Sequence, residues 1–134
     1  MSARHLLIDG MNVIGSRPDG WWRDRDAAVR RLVDRLKRLA DAGESVTVVF
    51  DGKPLDDLPE GDHGGVSVLF ARRSGPNAAD DRIVELAHEH PEADRVVTSD
   101  RNLRDRLTDL GVEVEGALAL LRRLESLDRA DPEV

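Results

Sequence analysis

"HLLIDGMNVIG", residues 5–15, opens as an apolar strand and closes on polar and glycine positions that no strand needs. Leu6, Leu7 and Ile8 make a short buried run, whereas Asp9, Gly10 and Asn12 are poor strand residues. Two explanations fit the stretch taken alone. Asp-Gly is a common turn dipeptide and Asn tolerates positive φ; alternatively, the strand carries Asp9 and Asn12 to a site at its end.

The rest of the chain decides how that ending is read. Further apolar strand candidates are 45–51, 66–71, 95–100 and 112–115. Between them, Val29, Leu32, Val33, Leu36, Leu39 and Ala40 recur at helical spacing, and helices are expected at about 78–90, 101–110 and 116–127. Strands that are apolar nearly throughout and alternate with helices predict an α/β domain of three layers around a parallel sheet of about five strands. Residues 1–127 read as one domain and 128–134 as a polar tail. In open α/β sheets, ligands lie beyond the carboxyl ends of the strands.

Composition bounds the possibilities. A chain of 134 residues can bury one core unaided. Cysteine is absent, which excludes disulfides and thiolate metal sites. No apolar run reaches spanning length, so the expectation is a cytoplasmic protein without membrane contact. The net charge is -7, yet residues 17–38 hold eight basic side chains against four acidic ones. Fields act locally in salt, so this stripe, Arg30 and Arg31 included, is either an RNA-backbone contact or an ordinary solvated helix face.

Acids recur at the strand ends. Asp9 closes the first strand, Asp51 the second in "VVFDGKP", and Asp100 the fourth in "VVTSDRN". Asp51 also suits a turn, and Asp100 or Ser99 also suits a helix cap. A fourth acid comes from "NAADDRIVELA", where Asp80 lies three, four and seven positions before Ile83, Val84 and Ala87 and so shares the sheet-facing side. Asp81 sits about 100° round the helix. Carboxylates gathered at one edge would raise one another's pKa unless a cation neutralised them. An all-oxygen set favours Mg²⁺ or Mn²⁺, which activates water and stabilises phosphate oxygens. Asn12 suits an orienting role. The chemistry best matched is phosphodiester hydrolysis.

The ordered set "LIDGMNVIG", "VVFDGKP", "NAADDRIVELA" and "VVTSDRNLRDR" resembles the YacP-like branch of the NYN domain ribonucleases, relatives of PIN domain nucleases, over residues 4–127. The resemblance implies a PIN-like Rossmannoid fold with strand order 3-2-1-4-5 and a Mg²⁺- or Mn²⁺-dependent endoribonuclease acting on RNA, with the ribosome a candidate partner. It puts Asp9, Asn12, Asp80 and Asp100 on the family's site positions, Ser99 beside them, and Asp51 on the second-strand aspartate. "NAADD" departs from the usual Thr-Ala-Asp-Ser start, which leaves the choice between Asp80 and Asp81 open.

Competing readings fit less well. A dehalogenase-like phosphatase needs an acid where Met11 stands. A receiver domain needs a late lysine, and the only lysines are Lys37 and Lys53. No G-x-G-x-x-G is present. A noncatalytic RNA-binding module of the same fold and a toxin-type PIN nuclease remain as alternatives. Arg72, Arg73 and Arg101 adjoin the acids and either hold substrate phosphates or pair with those acids. Trp21 and Trp22 either stack bases or pack at a helix entrance. His88 and His90 diverge on a helix and do not read as a chelating pair. The glycine-rich stretch 52–65 is expected to form a flap over the site.

Overall fold

The computed structural model describes residues 5–17, 19–71, 78–89 and 95–130. Strand β1 (His5–Asp9) runs directly into a short helix, α1 (Gly10–Gly15), and a 3-10 turn at Trp21–Arg23 leads into the long helix α2 (Arg25–Asp41). Then follow β2 (Ser45–Asp51), β3 (Gly61–His63), β4 (Val66–Ala71), α3 (Ala78–Glu89), β5 (Arg95–Val97), α4 (Arg101–Asp109), β6 (Glu113–Glu115) and α5 (Ala117–Ala130). The sheet order is β3-β4-β2-β1-β5-β6. All neighbours pair in parallel except β3, which is antiparallel to β4.

Strand periodicity sorts side chains into two cores. Leu6 and Ile8, with Val46, Val48 and Phe50, face the layer of α1, α2 and α5. Leu7, Val49 and Val96 face the layer of α3 and α4, where they meet Ile83, Ala87, Leu103 and Leu107. The same alternation sends Asp9, two residues after Leu7, and Asp51, two after Val49, toward the α3 layer at the carboxyl edge. Thr98, two after Val96, takes the same direction.

Several expectations need correction. The five parallel strands take the expected order, but a sixth, β3, is added at the edge. It carries the polar residues Gly61, Asp62 and His63, so no apolar pattern announced it. The turn does: Gly64 and Gly65 both have positive φ and form a two-residue hairpin connection. Consequently 52–65 is not a flap. Leu58 is buried in the α2-side core, Leu55 and Leu58 form a bridge, and β3 joins the sheet. The fourth expected strand stops at Val97 rather than Asp100, and α5 extends to Ala130, into the stretch expected to be tail.

The opening turn is also a helix. Neither Gly10 nor Asn12 has positive φ, so Gly10 is needed for space rather than conformation. A Cβ there would stand 2.4 Å from the Phe50 ring and 3.0 Å from the Val49 carbonyl oxygen. Gly10→Ala is therefore expected to destabilise the fold by about 1–3 kcal/mol through overpacking in chemical denaturation. Adding Phe50→Leu should recover part of that loss; costs that simply add would mean the two sites do not touch.

Candidate active site

Asp9 is only 5% exposed, and it reaches this position because β1 ends there without a loop. Ile8 is in register with Val97, so the next residues, Asp9 and Thr98, lie side by side. Thr98 is fully buried; its Oγ1 donates to Asp9 Oδ2 at 3.0 Å and accepts the Asp100 backbone N–H at 3.1 Å. The sequence reading missed Thr98. Its signal was a polar residue in strand phase with Val96, directly before "SD".

Burial is the main force on Asp9 and pushes its pKa up to about 6. The Thr98 hydrogen bond opposes this, the Asp80 charge adds to it, the Asn12 backbone N–H opposes it weakly without closing a cap, and Asp51 adds a little more. Asp80, half-buried in the first turn of α3, is likewise raised, first by burial and then by Asp100, with Arg106 opposing and Asp51 and Asp81 adding. The acids therefore lie within one another's fields. Among the described residues, no three acidic or histidine side chains are gathered as a ready-made ion cage. The donor chemistry nevertheless fits a hard cation, since Mg²⁺ takes one or two carboxylates and keeps several waters.

The other site candidates divide. Asp100 caps α4, accepting the Leu103 N–H at 3.1 Å on Oδ1, so the helix-cap reading holds; a carboxylate retains further acceptor sites on Oδ2. Asp51 supplies charge from β2 while its carbonyl accepts from Arg25 at 2.6 Å, and Gly52 with φ +94° makes the following turn. Asp81 turns away, exposed and paired with Arg106 at 2.9 Å. Asn12 Oδ1 accepts the Ser99 N–H at 2.7 Å, and Ser99 Oγ accepts the Ala117 N–H at 2.8 Å. Ser99 thus ties α1 to the start of α5. Arg101 is exposed and makes no ion pair among the described residues. Arg72, Arg73 and His90 lie outside the described residues.

The basic stripe is largely neutralised. Arg30 grips Asp57 with two bonds, at 2.8 and 3.1 Å, Lys37 pairs with Asp34, and Arg35 and Arg38 share Asp128. Arg31 remains exposed without an ion pair among the described residues. Acids elsewhere on the sheet margin are paired as well: Glu115, at the end of β6, is held by Arg95 and Arg123, each at 3.1 Å, and Glu44, just before β2, by Arg123 at 2.8 Å. The contrast is informative. Among the described residues, these acids have cationic partners and the buried Asp9 has none.

Comparisons with known proteins agree with this architecture. The sequence model of the YacP-like NYN domain matches residues 6–132. A comparison with curated proteins finds no match. Among solved structures, Rae1 (YacP) from Bacillus subtilis superposes with a TM-score of 0.70 at 29% identity, covering 96% of this chain and 76% of that one. Its W164L mutant gives a TM-score of 0.74 at 28% identity, covering 94% and 77%. The chain belongs to the YacP-like NYN domain family, a nuclease-like, RNA-related family.

Proposed function

We propose that this chain is a Mg²⁺- or Mn²⁺-dependent endoribonuclease that hydrolyses RNA phosphodiester bonds at the carboxyl edge of the sheet. The observation that carries the reading is Asp9: a carboxylate almost sealed from water, raised to about 6, with no cation paired to it among the described residues. Asp9, Asp80 and Asp100 would hold the ion, with Asp51 adding negative potential. A divalent ion supplies a lower pKa for the attacking water and positive charge for the phosphate oxygens.

The chain's own residues complete the arrangement. Thr98 anchors Asp9 Oδ2, which leaves Oδ1 for ligation. Asn12 is fixed through its Oδ1, which leaves its amide N–H groups to donate to a phosphate oxygen. Arg101, a cation in the first turn of a helix whose dipole disfavours it there, holds a flanking phosphate. A second reading, a noncatalytic RNA-binding module, is favoured by the lack of a pre-gathered trio of acids among the described residues.

Cleavage assays separate the two. Single-stranded RNA should be cut with Mg²⁺ or Mn²⁺ and left intact in excess EDTA, and Asp9→Asn should bring cleavage to background; RNA binding with no metal-dependent cleavage would favour the binding module. Thr98→Val should lower the rate by about 10- to 100-fold, as loss of a ligand's supporting partner does, with Thr98→Ser restoring most of it.

The pKa of Asp9 also sets a stability signature. Its folded value lies above the unfolded 3.8, so the folded state binds the proton more tightly. Ionisation of Asp9 therefore costs stability progressively as pH rises from about 4 to about 6 and fully above that, by about 2–3 kcal/mol. Metal-free Asp9→Asn should melt several degrees above the wild type at pH 7.5, and the difference should vanish near pH 4. An unchanged or lower melting temperature at pH 7.5 would mean that the charge of Asp9 is already compensated.

A further inference from the structure

The segment after α1 is built to display two indoles. Asp19 accepts the Trp21 N–H at 3.2 Å, Gly20 adopts φ +83°, and the Arg23 and Asp24 N–H groups close the 3-10 turn on the Gly20 and Trp21 carbonyls. Asp24 then caps α2 through the Ala27 N–H at 3.1 Å. Local polar groups thus fix the turn. The Trp21 and Trp22 rings meet edge to face, with centroids 6.0 Å apart and planes at 86°, so each presents a face in a different direction. Trp22 is 56% exposed, the most exposed large apolar residue among those described. A folded core gains nothing from that placement.

Beside the pair lies a groove of about 170 Å³ between α1, α2 and α5. Its wall is Trp21, its floor includes Val13, Ile14 and Leu32, and Arg31 stands on its rim. That volume is below the roughly 300 Å³ of sites that take whole drug-sized ligands, and it suits a single ring system. The charges nearby complete the pattern. Of the stripe on residues 17–38, carboxylates claim Arg17, Arg30, Arg35, Lys37 and Arg38. Among the described residues, the cations that carboxylates leave, Arg23, Arg31 and Arg25 (which donates to the Asp51 carbonyl), all belong to the turn and the first two turns of α2, while Asp19 and Asp24 are occupied by backbone N–H groups. The location is also suggestive: α1 starts next to Asp9, and a Cβ on its last residue, Gly15, would lie 3.9 Å from the Trp21 ring. Six helical residues span about 9 Å, so Trp21 packs against the far end of the short helix that starts at Asp9.

We propose that Trp21 and Trp22 form a stacking subsite for an unpaired base of single-stranded RNA, with Arg31 holding the adjacent phosphate. The proposal rests on RNA as the substrate class. Base stacking on indole is sequence-tolerant, because every base offers a π-face, so the subsite would bind strand without selecting sequence. Duplex RNA keeps its bases stacked inside and would not engage it.

These are the chain's only two tryptophans, so intrinsic fluorescence reports the subsite directly. In excess EDTA, where cleavage is suppressed, a short single-stranded oligouridylate should quench the emission, and a duplex of the same length should not. Trp22→Ala should weaken oligouridylate binding, followed by anisotropy, by about 5- to 100-fold. Trp22→Phe, which keeps an aromatic face, should stay much nearer the wild type. Arg31→Ala should flatten the log–log salt dependence by about 0.7. Absent quenching, equal quenching by duplex, or unchanged affinity in Trp22→Ala overturns the proposal. So does emission that follows protein concentration rather than RNA, because a second copy would then cover the indoles. Quenching without metal-dependent cleavage would remove the nuclease reading and keep the subsite; cleavage without quenching would do the reverse.

Discussion

The carboxylate of Asp9 is the constraint around which this fold is arranged. It must end a central strand, lie on the α3 side, and remain almost without water. Strand phase fixes its direction, and the immediate start of α1 fixes its depth, because a looser connection would let solvent in. That immediate start brings α1 against β2, and only glycine fits at position 10 beneath the Phe50 ring. Thr98 then has to be buried in register beside Asp9 to hold one oxygen. An isolated buried charge is costly, and the raised pKa expresses that cost.

The two faces of the sheet carry different duties. The α1, α2 and α5 layer contains the larger core and is fastened by exposed or half-exposed ion pairs such as Arg30 with Asp57 and Arg35 with Asp128. Such pairs contribute little stability each. Their larger effect is on the surface field, since they remove most of the stripe's positive charge and leave it around the two indoles. The α3 and α4 layer is smaller and brings Asp80 and Asp100 to the edge where Asp9 ends.

How much of this was readable beforehand follows from physical range. Strands β1, β2 and β4 and the α2 stripe were legible because apolar periodicity is local. Asp9 and Asp80 were legible because strand and helix phase fix direction. The helical start at Gly10 was not, since its cause is a contact with Phe50, forty residues away. β3 has no apolar face to announce it, and its Gly64-Gly65 turn passed for flexibility. The choice between the stripe's two readings was not legible, because its partners Asp57 and Asp128 are distant in sequence and charge counting along a helix cannot see them. Thr98 was overlooked between two more conspicuous neighbours; its importance lies in being in phase with Val96 and in register beside Asp9.

The central claim is that the carboxyl edge of the sheet is a divalent-cation site organised by Asp9. Anomalous diffraction from crystals soaked in Mn²⁺ tests it most directly. The account predicts a peak at about 2.0–2.2 Å from carboxylate oxygens of Asp9 and Asp80, with waters completing an octahedral shell. Crystals that bind Mn²⁺ elsewhere but show no peak between Asp9 and Asp80, under conditions where the dissolved protein cleaves RNA, would contradict it.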